Sequence, residues 1–443
     1  MKKIIFVLTL LFVCIIITGC NLPKPEPNYS STDKNYLLLS KSEEKYSIQG
    51  QEQIQSYNNF ISSLISFSAD LSEKVYLKYG NKYDRMVISP ISLYMALAMA
   101  TSVASEDARE ELEQLIGIPY EEMCEYSKYL MSTINKSFYQ NGSLSSMVNL
   151  SNSIWLNEGI GFKQEGLEVL KDSFYTDSYQ APFTSNNALA NKAVKDLIFR
   201  NTKGLIDSEY YFDEDTLFLL INTMYLKDTW NSDGSKLNLT NIDYKFQNQN
   251  NTVKQLKLML GHYVGGKTKI GDGFEYFNSS ISYNLKLHFI KPTTKELNEV
   301  FTKENLELVM KDKKYETVND ELREYYYTRC IFPEFDASFD EDMSSFFKEE
   351  YQLSKIFRDR VSNFNKITDD ICFVRNIIHQ SKLIVDRVGV EGSAITIIDG
   401  NGATAAPEQR YTNVFYDFLV DKSFGFIITY YDVVLFSGVV NNL

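Results

Sequence analysis

Proline, glycine and histidine are scarce in this chain. Nine Pro and 21 Gly in 443 residues exclude a collagen-like or low-complexity polymer. His262, His288 and His379 are the only histidines, so chemistry built on clustered imidazoles has few candidates. The five cysteines (Cys14, Cys20, Cys124, Cys330, Cys372) show no CxxC spacing and are too sparse for a disulfide scaffold. Positive charge is short as well. A formal net charge of -13 is the reverse of what phosphate binding needs, which argues against a nucleic-acid partner. No Ser sits in a GxSxG elbow, so that hydrolase signature is missing too. Aromatic residues, by contrast, make up 14% of the chain, too many for a disordered one.

The one long apolar run stands at the start. Lys2 and Lys3 precede Ile4 to Ile17, and Ile17-Thr18-Gly19-Cys20 closes the run with small residues before a cysteine. The run is too short to span a bilayer comfortably, so residues 1–19 are expected to be a cleaved secretory signal. The last four residues resemble the bacterial lipoprotein box, which implies acylation of Cys20, export and a membrane anchor on the extracellular face. An ordinary signal with a chance Cys is the alternative. With Cys20 occupied, Cys124, Cys330 and Cys372 leave at least one free thiol, expected to be buried. Pro23, Pro25 and Pro27, followed by mostly polar residues, read as a flexible tether over 20–52. No second linker or internal repeat follows, so residues 53–443 are expected to form one domain.

Apolar spacing predicts a helix from Tyr57 to Tyr79. Ser89-Pro90 opens a second helix through Met99, and Glu106 to Ile116 forms a third that Gly117 ends. Val148 to Leu156, Leu217 to Leu226 and Lys382 to Asp386 read as strands. Phe424 to Tyr431 and Val433 to Val440 read as a closing hairpin. Helices early and strands late in one chain give the α+β class, with a large mixed sheet. Gly261 to Thr268 matches the phosphate-loop pattern GxxxxGK[ST], but Ile270-Gly271-Asp272-Gly273 would break the helix that pattern requires, so a β-turn is expected there.

Several ordered blocks then resemble one family, the serpins. Ile88-Ser89-Pro90-Ile91-Ser92 looks like its SPxSI segment, and Asn152-Ser153-Ile154-Trp155-Leu156 like its NxIW/Y strand. Thr202-Lys203-Gly204-Leu205-Ile206 is similar to the TKGKI turn, and Asn222 to Trp230 to NAIYFKGxW. Phe332-Pro333-Glu334-Phe335 and Val420-Asp421-Lys422-Ser423-Phe424 resemble LPKF and the C-terminal F-x-A-D-R/K-P-F block. Ser423 stands where that block usually has Pro, Gly425 replaces a bulky residue, and Ser279 to Thr293 looks like a shortened hairpin. The resemblance covers about residues 55–443.

What the resemblance implies is a suicide inhibitor of serine, possibly cysteine, endopeptidases, acting alone as a monomer and without a cofactor or metal. An exposed reactive-centre loop, about residues 389–417, would offer bait; once cut, it would insert into the main sheet and trap the acyl-enzyme. Family spacing from His379 puts the hinge at Gly389, Val390, Glu391, Gly392, Ser393, Ala394, Ile395 and Thr396. In that register Val390, Gly392, Ala394, Thr396, Ile398, Gly400 and Gly402 face inward, all small or apolar. A register starting at Gly392 would instead bury Asp399 and Asn401. Arg387 and Val390 depart from the usual Glu and Thr or Ser. Before cleavage Val390 is expected at an exposed loop base.

The fifteenth position puts the scissile bond at Ala403-Thr404, which suits elastase-like or subtilisin-like proteases. Ala405-Ala406 is an alternative, as is Arg410-Tyr411 for a trypsin-like enzyme. Ser89, Ser92, Asn222 and His379 are the expected shutter, where strands part by exchanging hydrogen bonds, and Trp230 would cap the sheet above them. The alternative function is a non-inhibitory surface lipoprotein of the same fold, used for binding or adhesion.

Overall fold

Strand β1 (Leu37–Ser40) and helix α1 (Gln51–Tyr79) come first in the computed structural model. It describes residues 37–40, 51–140, 143–231, 234–281, 285–312, 315–391 and 411–443. Strand β2 (Arg85–Ile88) leads into helices α2 (Pro90–Val103), α3 (Glu106–Ile116) and α4 (Tyr120–Ile134). Strands β3 (Lys136–Gln140) and β4 (Ser143–Asn157) precede α5 (Gln164–Phe174), β5 (Thr176–Ala181), α6 (Asn187–Asn201) and β6 (Phe218–Thr229). Short strands β7 (Tyr244–Gln247) and β8 (Val253–Leu256) are followed by β9 (Met259–Gly265), β10 (Lys269–Ile270), β11 (Phe274–Ser280) and β12 (Leu285–Pro292). Helices α7 (Leu297–Val300) and α8 (Lys303–Lys311) precede β13 (Val318–Asn319), β14 (Glu324–Phe332), β15 (Phe335–Asp342) and α9 (Ser344–Glu350). The chain ends with β16 (Ile378–Val385), β17 (Gly389–Glu391), β18 (Thr412–Leu419), β19 (Phe424–Tyr430) and β20 (Val433–Val440).

The main sheet has the order β1-β5-β4-β6-β17-β16-β15, with β3 also on β4. It is mixed, because β4 and β5 run parallel while β4 and β6 run antiparallel. A second sheet runs β10-β11-β12-β19-β20-β2, and a third holds β14 between β18 on one side and β13 and β9 on the other. This is the α+β class that the sequence order of helices and strands predicts.

Helix α2 explains how these layers meet. Its sequence is apolar on every side, and a helix of that kind has to be buried all round. Twelve of its fourteen residues are buried, from Pro90 to Val103. Ser89 precedes it with extended backbone, but its hydroxyl makes no cap; it donates to the Leu435 carbonyl at 2.8 Å, tying the helix start to β20. Helix α3 ends as its glycine predicts: Gly117 takes φ 71 and its N–H donates to the Glu113 carbonyl at 2.8 Å. On β4, Ile154 and Leu156 join the large core, while Trp155 points to the opposite face and packs with Phe183, Val194 and Leu197 under α6. The main sheet is therefore covered on both faces where α6 lies.

The tether expectation needs correction. Residues 37–40 form a strand, with Leu37 opposite Gln180 and Leu38 opposite Tyr179, and helix α1 already starts at Gln51. A three-leucine run is diluted when composition is averaged over the whole polar segment. Leu38 and Leu39 stay exposed, so ladder hydrogen bonds to β5 rather than burial explain this strand. The signal residues 1–19, Cys20 and the rest of the tether up to residue 50 lie outside the described residues. The hairpin over Ser279 to Thr293 is β11 turning into β12, and the closing hairpin turns at Tyr431, with φ 50.

Candidate functional site in the main sheet

After β16 the chain reverses within four residues. Asp386 sits at the corner, where its Oδ1 accepts from the N–H of Val388 (2.7 Å) and of Gly389 (3.1 Å), while its own N–H donates to the Gly389 carbonyl at 2.9 Å. An Asp that caps its own turn two residues on is a known turn device. Trp230 clamps the reversal from β6. Its indole Nε1 donates to the Asp386 carbonyl at 2.6 Å and its backbone N–H to the Val388 carbonyl at 3.1 Å. Arg387 explains its own presence here: its Nε donates to the Leu237 carbonyl at 2.9 Å and its N–H to the Glu334 carboxylate at 3.0 Å.

Strand β17 then enters the sheet between β6 and β16. Gly389 lies opposite Thr229 and Val390 opposite Asp228 on one side; Val390 lies opposite Val385 and Glu391 opposite Ile384 on the other. Glycine is required at the entry, because a Cβ on Gly389 would stand 1.8 Å from the Asp228 carbonyl oxygen. Val390 is fully buried in the core, and the Glu391 carboxylate, on the opposite face, accepts from the Tyr225 hydroxyl at 3.3 Å. The expectation of an exposed Val390 is therefore overturned. A β-branched apolar residue next to a glycine that fits under Asp228 is more stable inside the sheet than in water. The expected loop span of 389–417 shrinks at both ends for the same reason: 389–391 are in β17, and 412–417 pair with β14.

Beyond Glu391, β6 and β16 continue with no described strand between them, since the described ladders of β17 stop at Asp228 and Ile384. A cavity of about 440 Å³ opens there, and Ser89, Ser92, Asn222 and His379 all line it. The structure thus gathers these four around one seam, each with its own hydrogen-bond partners. Asn222 bonds to the neighbouring strand: its Nδ2 donates to Asn152 Oδ1 at 2.7 Å, and its own Oδ1 has no partner among the described residues. His379 Nε2 instead accepts the Ser89 backbone N–H at 3.1 Å. Ser381, which sequence reasoning misses, donates its hydroxyl to the Val87 carbonyl at 2.6 Å. The segment after α6 crosses the seam, with Tyr210 donating to Gln380 on β16 and Asp213 pairing with Arg375.

His379 is neutral, as its acceptor role requires, and burial pushes its pKa down to about 3. His288 in the second sheet falls to about 3 as well, through burial and the charge of Lys286. A histidine with a folded pKa below its ordinary 6.5 favours the fold above that value and loses this contribution as pH falls from 6.5 toward 3. Unfolding free energy should therefore drop by about 1.4 kcal/mol per pH unit for each histidine in that window. Urea titrations between pH 7.5 and 4 check this, and His379→Gln should remove about half of the slope.

The remaining sequence candidates divide clearly. Gly392, Ser393, Ala394, Ile395 and Thr396 lie outside the described residues, as do Ala403, Thr404, Ala405, Ala406 and Arg410. Tyr411 is held down: its hydroxyl donates to Asp320 Oδ1 at 2.7 Å and its ring lies 4.7 Å from that of Tyr325. The phosphate-loop match is the end of β9 and the bend after it: Gly261 to Gly265 lie in the strand paired with β14, and Gly266, Lys267 and Thr268 in the short connection to β10. Lys267 sits over the Tyr326 ring at 3.7 Å, and no helix follows before β10. Cys124, Cys330 and Cys372 are all free, the last two buried. Among the described residues no cluster of His, Cys, Asp and Glu is placed to hold a metal ion.

A family model described as Serpin (serine protease inhibitor) matches residues 62–443. An alpha-1-antiproteinase of Rattus norvegicus is 18% identical over 399 residues, covering 87% of this chain and 91% of that protein. Iripin-1 of Ixodes ricinus is 23% identical over 372 residues, covering 81% and 89%. In fold the chain is similar to tengpin, a thermophilic serpin in the native state, with a TM-score of 0.67 at 19% identity over 92% of this chain and 100% of that one. It is similar too to an Arabidopsis serpin in its native stressed conformation, with a TM-score of 0.67 at 18% identity over 87% and 98%.

Proposed function

The chain belongs to the serpin family, whose members are commonly serine protease inhibitors and not enzymes, and from that premise we propose that it is an exported suicide inhibitor of serine endopeptidases, held at the cell surface by a lipid on Cys20. One observation carries the inhibitory part: the loop base already turns at Asp386 and enters the sheet as β17, above an open seam between β6 and β16. Unpaired strand edges are templates for another strand, and along this seam neither β6 nor β16 has a described ladder partner beyond β17. Continuing the register of β17 would set Ile397 opposite Ile378 and Gly400 opposite Phe218, so residues 392–400 would fill the seam. The parity begun by Val390 would bury Gly392, Ala394, Thr396 and Ile398 and leave Glu391, Ser393 and Asp399 on the other face.

Ala403-Thr404 is the favoured bait, with Ala405-Ala406 next. Arg410-Tyr411 drops behind them, because a protease cleft grips several extended residues on both sides of the bond. Tyr411 is fixed to Asp320, and β18 begins one residue later. The targets that fit are elastase-like or subtilisin-like enzymes with small specificity pockets. Val390 and Arg387, which depart from the family's usual residues, favour the second reading, a non-inhibitory binding protein.

A denaturing gel of the chain with elastase-like, subtilisin-like and trypsin-like proteases separates the two. Inhibition gives a covalent band of chain plus protease and a released peptide starting at Thr404. Cleavage without that band leaves only the binding reading.

A further inference from the structure

Gly261 and His262 interrupt the regular pairing of β9. Leu260 lies opposite Ile331 and Tyr263 opposite Arg329, so two residues of β9 face the single Cys330 of β14. That is a β-bulge, a device that re-aims a side chain and recurs next to functional sites. Glycine is required at its first position, because a Cβ on Gly261 would stand 2.9 Å from the Cys330 carbonyl oxygen. Met259 and Gly261 are buried, and the extra residue breaks the alternation, leaving His262 and Tyr263 both exposed. His262 thereby reaches the end of β6, where its Nε2 lies 3.1 Å from the Trp230 carbonyl oxygen. A carbonyl only accepts, so this imidazole carries its proton on Nε2 and donates. His379 is the reverse case, since its Nε2 accepts from Ser89.

Trp230 is therefore held at three points. Its indole donates to the Asp386 carbonyl and its N–H to the Val388 carbonyl, while its own carbonyl accepts from His262. The other grip on the hinge turn leans on the same strand. Leu237 donates its N–H to the Arg387 carbonyl at 2.7 Å and accepts from Arg387 Nε at 2.9 Å. The next residue, Asn238, accepts the Leu260 N–H at 2.8 Å. Strand β9 thus backs both residues that hold the turn, although it belongs to the third sheet. Insertion would start from a strand of only three residues, Gly389–Glu391. So few ladder bonds hold it weakly, and its entry turn has to keep it in register. We infer that His262 is a positioning residue for loop insertion: it fixes the Trp230 peptide so that the indole keeps β17 seated while the rest of the loop follows. The inference rests on the inhibitory reading above, but the clamp itself is testable without a protease.

The test uses the full chain. His262→Leu and His262→Ala remove the donor, whereas His262→Gln offers an amide N–H in its place. Melting temperatures are measured first, and they should change little because the side chain is exposed. In the chain alone, the Leu and Ala variants should shift the emission of Trp230 and speed hydrogen exchange at its amide. Trp155, the other tryptophan, is buried under α6 and common to all variants, so the difference belongs to Trp230. The Gln variant should restore both signals. With a protease that forms the covalent band, the association rate should not change, because the bait lies elsewhere. The number of inhibitor molecules consumed per trapped protease, less one, measures acyl hydrolysis against insertion. It should rise roughly two- to tenfold in the Leu and Ala variants, the factor that one net hydrogen bond supplies, and return in the Gln variant. Unchanged emission and exchange in both donor-less variants would overturn the clamp. A loosened clamp with unchanged consumption would overturn the positioning role and leave inhibition standing. If the unaltered chain forms no covalent band with any protease, the inhibitory reading falls, and the positioning role with it.

Discussion

On the proposed inhibitory function, Val390→Arg should turn the protein into a substrate. Val390 is buried in β17 in the intact chain, so the substitution acts twice. In the intact state Arg cannot stay under the sheet unpaired, and the short strand Gly389–Glu391 is expected to leave it. That would loosen the Asp386 turn, which Trp230 holds through its indole, so tryptophan fluorescence reports the release. After cleavage the same residue must return to the sheet before any other can follow. An unpaired buried charge costs on the order of 3–5 kcal/mol, which slows the start of insertion roughly 10²–10⁴-fold. Acylation does not involve this residue. The protease then hydrolyses its acyl bond and escapes, and the gel shows cut chain without a covalent band. Full inhibition by the variant would mean that β17 is not where insertion begins.

Cutting the loop should raise thermal stability sharply. In the intact chain the edges of β6 and β16 beyond Asp228 and Ile384 have no described ladder partner, and the cavity between them is partly polar-lined, with Asn222 Oδ1 unpaired among the described residues. A strand filling the seam bonds to both edges at ~0.5–1.5 kcal/mol per hydrogen bond, so about a dozen bonds release on the order of 10 kcal/mol. At about 1–2 °C per kcal/mol, as expected for a domain this large, the melting temperature should climb by roughly 10–20 °C. Scanning calorimetry before and after nicking within residues 403–406 reads it directly. A nicked chain that melts at the same temperature or lower would remove the stored instability from the account.

Much of the fold is legible in the sequence because local and tertiary demands agree there. Glu106 to Ile116 has one apolar stripe and a glycine stop, and α3 occupies those residues with Gly117 left-handed. Other parts hide because aromatics populate both faces of a strand. In β14, Tyr325, Tyr326 and Tyr327 give no alternation to detect, although only Tyr326 is buried. Strand β9 hides inside a literal phosphate-loop match. At the seam, the inward parity of Val390 follows from counting, but its burial before cleavage does not. That depends on Gly389 fitting against the Asp228 carbonyl and on Asp386 capping the turn, both facts of tertiary contact. Ser89, Ser92, Asn222 and His379 line one cavity, and Asn222 bonds to Asn152 across β4 and β6, a partner that only the strand register identifies.

The most direct test of the seam is amide hydrogen exchange on the intact and the loop-cleaved chain, followed over Phe218–Thr229 and Ile378–Val385. The account predicts that the intact chain exchanges readily along the edges facing the cavity and is protected near Asp228 and Ile384, where β17 is already bonded. After cleavage, protection should spread along both strands toward Phe218 and Ile378, while β4 and β15, on their far sides, stay unchanged. Equal exchange in the two forms, with β6 and β16 no better protected after the cut, would show that the loop does not enter the sheet.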